Sequence, residues 1–599
     1  MITDRVSKNS SALPTIPIQS GEDLIQKRLE EARARLEAEA GIERRDTPQF
    51  KRPVERPFTK DQRATTTILF GGLTWKHEKL IHGSWEGLGY KCEVIPTPDV
   101  KAFQLGKEYG NNGQCNPTYF TVGNLVAYLQ HKRDVEGMPT QEILDKYIFL
   151  TAGACGPCRF GMYEAEYRLA LRNSGFDGFR VDLFQQSGGL SQSEAEAGLE
   201  MNFDFFLGMV NGMMMGDLIN ELAYQIRPYE IEPGQTDRVL EESMDYMHEV
   251  MKSRKNPGIE GRMEAFLDKL GVAASAEAML KFLDQLKTTY YTDALAEVRR
   301  RFEAIPVDYT RCKPIVKITG EFWAQTTEGD GNFKMFPFLE SEGAEVLVEP
   351  ITTWINYMIH QARQKVGDRK GLADGKLPPP TWRLDKQFKK EIDARKRVGR
   401  LNFAEAILRR EFGRMRAALG GTCHGLADQP ELTRAGHPFY NSRSGGGEGH
   451  LEVAKAIYYT NHELAHMVLS VKPFGCMPST QSDGAQSAVV SLFKDLIYLP
   501  IETSGEGEIN AHSRVQMALG EAKFKVKEEY ARALAATGLS LDEIKAYVES
   551  HPELRNPLRH VPKYKGYIGK GASFVLHVGE TLRKERGILE PVAELAAAH

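Results

Sequence analysis

The fold is decided by the stretch Lys146–Gln186, KYIFLTAGACGPCRFGMYEAEYRLALRNSGFDGFRVDLFQQ. The apolar run Tyr147–Leu150 predicts a buried strand, which ends at Thr151-Ala152-Gly153. An amphipathic helix is predicted over 162–171 and a second strand over 179–184. A strand, a turn, a helix and another strand in this order predict a parallel α/β unit.

Two cysteines, Cys155 and Cys158, lie in the turn of this unit, where open α/β sheets place their sites. The helix N-terminus and Arg159 would both stabilise negative charge on the thiolates. Three interpretations stay open at this point. They are a zinc pair that needs two further ligands, a thioredoxin-like C-G-P-C thiol pair, and an iron–sulfur site completed by distant cysteines. Thioredoxins are small, however, and have Trp where this chain has Ala154.

Length and composition narrow the classes of function. The chain has 599 residues and a net charge of −4, which suggests roughly three or four domains and argues against nucleic acid as a main partner. No apolar targeting segment opens the sequence and no run of about 18 apolar residues occurs, so we expect a cytoplasmic protein without membrane association. Seven irregularly spaced cysteines in a reducing compartment indicate metal or redox chemistry.

The α/β rhythm occurs twice along the chain, and helical patterns surround it. Long helices are predicted over 193–227 and 451–466. The predicted segments are an N-terminal arm at 1–64, a first α/β domain with cluster cysteines at 65–235, a helical insertion at 236–305, a second α/β domain with its own helical insertion at 306–540, and a C-terminal helical tail at 541–599.

Four cysteines share one kind of position, a loop that contains Gly or Pro: Cys115, Cys155, Cys158 and Cys476. Both Cys115 and Cys476 have a proline two residues later, which fixes the following turn. Cysteines at the carboxyl edges of two α/β domains could converge in the cleft between them, whereas Cys92 alternates with apolar residues inside a strand and is predicted to be a packed thiol.

Two short motifs suggest other chemistry. His462-Glu463-Leu464-Ala465-His466 matches the HExxH pattern of zinc hydrolases, although its place in an α/β alternation favours a packing role. The run Ser442–His450, SRSGGGEGH, opens a helix and could cradle an anion. It lacks the Lys-Ser/Thr of a phosphate-binding loop, which favours a flexible turn.

Several segments taken together resemble the 2-hydroxyacyl-CoA dehydratase and benzoyl-CoA reductase superfamily. They are EYGNNGQCNP, TAGACGPCRFGMYEAEYRLAL with GFDGFRVDLF, KITGEFW and SVKPFGCMPS. The resemblance covers about 65–230 and 312–540. It is strongest to the dehydratase-type module that some proteins fuse to an ATP-dependent activator, and to the double-cubane cluster proteins.

This resemblance implies two flavodoxin-like parallel-sheet domains around an oxygen-sensitive iron–sulfur cluster, either [4Fe–4S] or double-cubane. It implies Cys115, Cys158 and Cys476 as ligands and Cys155 as the fourth. A separate ATP-hydrolysing iron–sulfur activator would reduce the cluster, because this chain lacks the activator's phosphate-binding loop. Cys312 and Cys423 would be needed as further ligands of a double cubane, and we expect neither to be one.

The resulting prediction is an anaerobic iron–sulfur protein that accepts low-potential electrons for reductive or radical dehydration, with an acyl-CoA as the expected substrate. The alternatives are a thiol–disulfide protein using Cys155 and Cys158, a zinc hydrolase at His462 and His466, and an activator or scaffold protein without chemistry of its own. We also expect a homo- or hetero-oligomer. No catalytic residue is assigned, although three carboxylates are candidates for proton transfer: Glu321, Glu506 and Glu508.

Overall fold

Short parallel strands form two sheets in the described part of the chain. In the computed structural model, all four residues of β1 (Thr67–Phe70) and all seven residues of β7 (Met467–Pro473) are buried. Such strands read as continuous apolar runs because helices cover both faces of a parallel sheet. The structure describes residues 21–40, 56–153, 158–185, 197–259, 273–369 and 384–588.

Each sheet contains four strands that pair in the same order. The first is ordered β2-β1-β3-β4, with β2 at Lys91–Val94, β3 at Tyr147–Gly153 and β4 at Arg180–Gln185. The second is ordered β6-β5-β7-β8, with β5 at Ile315–Gly320, β6 at Glu345–Leu347 and β8 at Ile497–Thr503. All the strand pairings within these described residues are parallel. In this order, sites form at the carboxyl ends of the first and third strands.

Helices precede, connect and follow the strands along the chain. In chain order they are α1 Gly21–Glu39, α2 Trp75–Gly87, α3 Val100–Tyr109, α4 Asn116–Asp134, α5 Thr140–Lys146, α6 Tyr163–Asn173, α7 Phe203–Ile226, α8 Gln235–Ser253, α9 Ala273–Lys287, α10 Tyr290–Glu303, α11 Phe322–Thr326, α12 Met335–Ser341, α13 Ile351–Asp368, α14 Leu384–Ala418, α15 Gln429–Gly436, α16 Gly449–Asn461, α17 Met477–Leu492, α18 Glu508–Thr537, α19 Leu541–Ser550 and α20 Lys570–Glu585. Single 3₁₀ turns occur at Lys60–Gln62, Arg159–Met162, Arg227–Tyr229, Asp330–Asn332 and Pro552–Arg555.

The structure confirms the predicted fold class. This class is α/β, with two flavodoxin-like domains, helical insertions and an N-terminal helical arm. The chain divides into two compact units, Met1–Arg52, which contains α1, and Pro53–His599, which contains the other elements. The bounds of the five predicted segments stay predictions.

Helix α7 is the centre of a core that lies outside the sheets. Its residues Leu218, Ile219 and Leu222 have no exposed surface. They belong to one apolar cluster with residues of α8, α10, α14 and α20, such as Met247, Val298, Phe412 and Phe574. The predicted helical insertion therefore contributes to the core of the larger unit. Within the described residues, no helix combines the length and the apolarity needed to cross a lipid bilayer.

The prediction that this helix runs over 193–227 is wrong at its start. Helix α7 begins at Phe203, where the side chain of Asn202 accepts a hydrogen bond from the backbone N–H of Phe205 at 3.1 Å. An N-cap of this kind satisfies an amide that has no partner within the helix. Residues 197–202 are irregular although Leu199 is buried, and 193–196 lie outside the described residues. Apolar periodicity alone therefore placed the helix start too early.

Helices α3 and α4 cross with their backbones in contact, and this contact positions the loop before α4. A Cβ atom built on Gly106 would lie 1.9 Å from the carbonyl oxygen of Tyr119, and one on Gly123 would lie 1.8 Å from that of Ala102. Any side chain at these two positions would therefore force the helices apart.

We predict opposite effects for two helical Gly→Ala substitutions. Gly123→Ala should lower the free energy of unfolding by about 1–3 kcal/mol, because the added methyl group overpacks a backbone contact. Gly413→Ala in α14, where no atom lies within 4 Å of the built Cβ, should raise it by about 0.5–1 kcal/mol through helix propensity. Urea midpoints measured on both variants check this, and a stabilising Gly123→Ala would show that the helices do not touch.

Candidate metal centre

Each described candidate cysteine lies at the start of a helical segment. Cys115 is the N-cap of α4, Cys158 precedes the 3₁₀ turn Arg159–Met162, and Cys476 is the N-cap of α17. The prolines after Cys115 and Cys476 fall in the first helical turn. Backbone N–H groups there have no acceptor within the helix, so proline loses no helical hydrogen bond. Cys155 lies outside the described residues.

The loops that carry Cys115 and Cys476 are in direct contact, although 361 positions separate them in the printed sequence. The backbone N–H of Asn116 donates to the carbonyl oxygen of Phe474 at 3.1 Å. Gly475 has a φ of +77°, and a Cβ atom built on it would lie 3.3 Å from the Cα of Cys115. The carboxyl edge of the second sheet therefore touches the first α/β domain at these cysteines.

The glycine-rich loop places Cys158 in the same region. Gly447 has a φ of +122°, and a Cβ atom built on it would lie 3.8 Å from the Cβ of Cys158 and 2.5 Å from Cγ of Pro478. This loop, interpreted from the sequence as a flexible turn, packs between Cys158 and the start of α17. The sequence signal for such a close approach is the run of three consecutive glycines at 445–447.

Hydrogen bonds hold the Cys115 thiol in place. Its Sγ lies 3.1 Å from the hydroxyl oxygen of Tyr163, the first residue of α6, and 3.2 Å from that of Thr118. The side chain of Arg159 donates to the carbonyl oxygen of Gly113, in the loop before Cys115. Arg159 therefore ties the Cys158 turn to the Cys115 loop.

Two carboxyl groups lie close enough to the thiols to act on them electrostatically. Glu321 is the N-cap of α11 and accepts a hydrogen bond from the backbone N–H of Ala324 at 2.9 Å. Burial raises the pKa of Glu321 to about 7, despite its bonds to the helix backbone. Glu448 precedes α16 and is 6% exposed. Burial first, and then the carboxylates of Glu321 and Glu452, raise the pKa of Glu448 well above its usual range. Burial therefore disfavours the charged form of Glu448.

The same surroundings keep the thiols protonated. Burial raises the pKa of Cys158 to about 12, with further contributions from Glu448, Glu321 and Cys115. Burial and Glu321 also raise the pKa of Cys476, although hydrogen bonds from Ser479 oppose the shift. The expected stabilisation of these thiolates by helix N-termini is therefore outweighed, and a bound cation would have to supply the missing positive charge.

The distances between the thiol sulfur atoms decide whether the three cysteines can bind one metal ion without moving. Two sulfur ligands at about 2.3 Å from one zinc ion can be at most about 4.6 Å apart. The sulfur atoms of Cys115, Cys158 and Cys476 do not all lie within 4.8 Å of one another in the described structure. One zinc ion bound by all three thiols would therefore require their side chains to move, whereas the ligands of a polynuclear cluster bind different irons.

The remaining described cysteines have other contacts. Cys312 donates to the carbonyl oxygen of Val526 in α18, and Cys423 donates to that of Leu218 in α7, both at 3.4 Å. Cys92 lies in β2. Of the candidate proton-transfer groups, Glu321 lies beside the thiols, whereas Glu506 and Glu508 are exposed in the turn before α18 and at its first residue.

The HExxH motif does not lie on one helix. The helix predicted over 451–466 ends at Asn461, and Glu463 has a φ of +51°, in the left-handed region. His462 lies 2.6 Å from a carboxylate oxygen of Glu431. His466 is buried and accepts a hydrogen bond from the backbone N–H of Ile315 at 3.0 Å. The two imidazoles therefore lack the one-turn spacing on a helix that zinc hydrolases use.

We predict that these histidines contribute only to stability. His466→Ala should lower the free energy of unfolding by about 1–3 kcal/mol, because it leaves the part-buried N–H of Ile315 without its acceptor. His462→Ala should change it by less than about 1 kcal/mol, since its ion pair is exposed. Thermal unfolding and metal analysis of both variants test this, and loss of stoichiometric zinc from either would contradict it.

We also predict that Gly447 protects Cys158. Gly447→Ala should move the loop away from Pro478 and speed alkylation of Cys158 in chelator-treated protein at least several-fold. Gly445→Ala is the matched control, since its built Cβ meets only side-chain atoms of Gln361 and Lys365 at 3.7 Å. Mass spectrometry of the Cys158 peptide gives the rates. Equal rates in the two variants would show that the loop does not cover this thiol.

Comparison with known proteins gives no match, whether to protein-family models, curated proteins or solved structures. The resemblance to the dehydratase and reductase superfamily therefore stays a prediction.

Proposed function

We propose that this chain is an iron–sulfur protein, with Cys115, Cys158 and Cys476 as thiolate ligands of one cluster and Cys155 as the fourth. The observation that carries this proposal is the meeting of three cysteine loops from two α/β domains, through the contacts of Asn116 and Gly447. Four thiolates are the ligand set of a [4Fe–4S] cluster. The contacts of Cys312 and Cys423 with other helices favour this cluster over a double cubane.

The chemistry of the donor set fits such a cluster. Soft thiolates suit iron–sulfur clusters, and the raised thiol pKa values mean that metal binding must displace protons. When bound, a cluster of this kind stores and transfers single electrons at low potential. Cys115 and Cys476 are each only 6% exposed, which limits the access of water to their thiols.

We infer that Glu321 and Glu448 hold the protons of the proposed reaction. Their carboxyl groups lie beside the thiols and have raised pKa values, so they can carry a proton near neutral pH. Reductive chemistry and dehydration both require proton transfer to or from the substrate. An acyl-CoA is the proposed substrate. A cavity lined by Glu448, Lys455 and Trp354 has a volume of about 10 Å³, which is room for about one water molecule, so a thioester would have to open this region.

The proposed electron donor is a separate ATP-hydrolysing iron–sulfur protein in the same cytoplasmic compartment. The run Ser442–His450 lacks the lysine of a phosphate-binding loop, and its Gly447 packs against Pro478 and Cys158. This loop is therefore occupied by contacts within the chain, which supports an ATPase on another polypeptide.

The ligand assignment predicts which cysteines retain iron. Protein purified without oxygen should contain about four irons and four acid-labile sulfides per chain. Cys158→Ser and Cys476→Ser should each lose most of this iron, while Cys312→Ser and Cys423→Ser should keep it. Iron and sulfide analysis with circular dichroism separates ligand loss from unfolding. An iron-free wild type with a reversible Cys155–Cys158 disulfide would support a thiol–disulfide protein, and one equivalent of zinc would support a zinc site.

The partner assignment predicts a requirement for three components. Cluster reduction followed by electron paramagnetic resonance should need a low-potential donor, Mg-ATP and the separate ATPase together. The chain alone should neither bind nor hydrolyse ATP. Equal reduction without the ATPase, or ATP turnover by the chain alone, would contradict the proposed partner without affecting the ligand assignment.

A further inference from the structure

We propose that His82, Glu86 and His248 form a second metal site, for a divalent transition-metal ion such as Zn²⁺. This site is independent of the cysteines and of the proposed function. One ligand atom from each of the three side chains lies within 4.8 Å of the other two. His82 and Glu86 are one turn apart on α2, and His248 is on the neighbouring helix α8.

The individual distances approach those of a coordinated metal. Nε2 of His248 lies 3.3 Å from Oε2 of Glu86, and Nε2 of His82 lies 3.9 Å from Oε1 of the same carboxylate. Ligands of a tetrahedral zinc ion at about 2.0–2.1 Å are about 3.3 Å apart from one another. Since the side chains of His82 and Glu86 are 26% and 27% exposed, small rotations can close the remaining gap.

The helix backbones hold these ligands in a fixed arrangement. A Cβ atom built on Gly83 would lie 2.5 Å from the carbonyl oxygen of His248, and one on Gly87 would lie 2.4 Å from that of Lys252. Helices α2 and α8 therefore touch directly on either side of Glu86. A rigid scaffold of two helices positions metal ligands better than a loop does.

Each imidazole also has a second hydrogen-bonding partner. Nδ1 of His248 lies 3.2 Å from Oε1 of Glu249, and Nε2 of His82 lies 3.0 Å from the backbone carbonyl oxygen of Cys92. Metal-binding histidines usually donate their other N–H to a carboxylate or a carbonyl, which orients the ring. His248 can keep this bond while Nε2 binds a metal. Nε2 of His82 faces both Glu86 and the Cys92 carbonyl, so this hydrogen bond has to break when Nε2 binds a metal.

The donor set indicates the class of ion. Two imidazole nitrogens and one carboxylate favour zinc, iron, cobalt or nickel over magnesium or calcium, which prefer oxygen ligands. In the described structure, Nζ of Lys252 lies 3.4 Å from Glu86 and supplies the positive charge at this carboxylate. Its side chain is 44% exposed and can turn into solvent when a cation binds. Three protein ligands leave at least one position for water.

Calorimetric titration of the anaerobically purified full-length protein with ZnCl₂ tests this proposal. We expect one zinc equivalent to bind in addition to the metal at the cysteines. His248→Gln and Glu86→Gln should each weaken this binding at least tenfold. His82→Gln provides a third variant at a partly exposed position if one of the others unfolds. Co²⁺ bound at this site should show the weak absorption of nitrogen and oxygen ligands and no thiolate charge-transfer band.

The matched control is His131→Gln on α4. Nε2 of His131 lies 3.8 Å from the Glu136 carboxylate, and Lys132 lies beside this carboxylate as well. This pair lacks a second imidazole in the described structure, so the substitution should leave zinc binding unchanged. The proposal is overturned if the wild type binds no additional zinc, or if His248→Gln and Glu86→Gln bind it like the wild type. It is also overturned if Cys158→Ser removes the additional zinc.

Discussion

The candidate metal centre depends on the contact of Asn116 with the second sheet. The backbone N–H of this residue donates to the carbonyl oxygen of Phe474, and its side-chain amide donates to that of Thr503. Asn116 begins α4 in the first α/β domain, whereas Phe474 follows β7 and Thr503 ends β8. Because Asn116 is buried, a broken bond would leave polar groups without water. These two bonds hold Cys115 beside the carboxyl edge that carries Cys476.

Burial and negative charge determine what this region can bind. Burial raises the pKa values of the Glu321 and Glu448 carboxyl groups and of the nearby Cys158 and Cys476 thiols, so it disfavours the charged form of all four groups. Ionising several of these groups in a buried space would require compensation by positive charge. A multivalent iron–sulfur core provides such charge, whereas a single arginine does not. Arg159 is turned toward a backbone carbonyl in the Cys115 loop.

The strands could be predicted from the sequence because parallel strands covered on both faces are continuous apolar runs, as in Thr67–Phe70 and Met467–Pro473. Helix ends were less predictable, since they depend on single residues. The N-cap of Asn202 starts α7 ten residues after the predicted start at 193, and the left-handed Glu463 lies just beyond the end of α16. A repeat of apolar positions continues through both of these residues. Periodicity therefore gave the right element and the wrong boundary.

The meeting of the cysteines was predictable only in part. Cys158 and Cys476 follow the third strand of their respective sheets, and the two sheets have the same strand order. The matching positions of Cys158 and Cys476 can be read from the sequence pattern. The long-range contacts of Asn116 and Gly447 that bring the sheets together cannot. A ligand bound by thiolates of both domains would stabilise this contact by linkage, since it binds only when both sheets are in place. Formation of the proposed metal centre would therefore be coupled to docking of the two α/β domains.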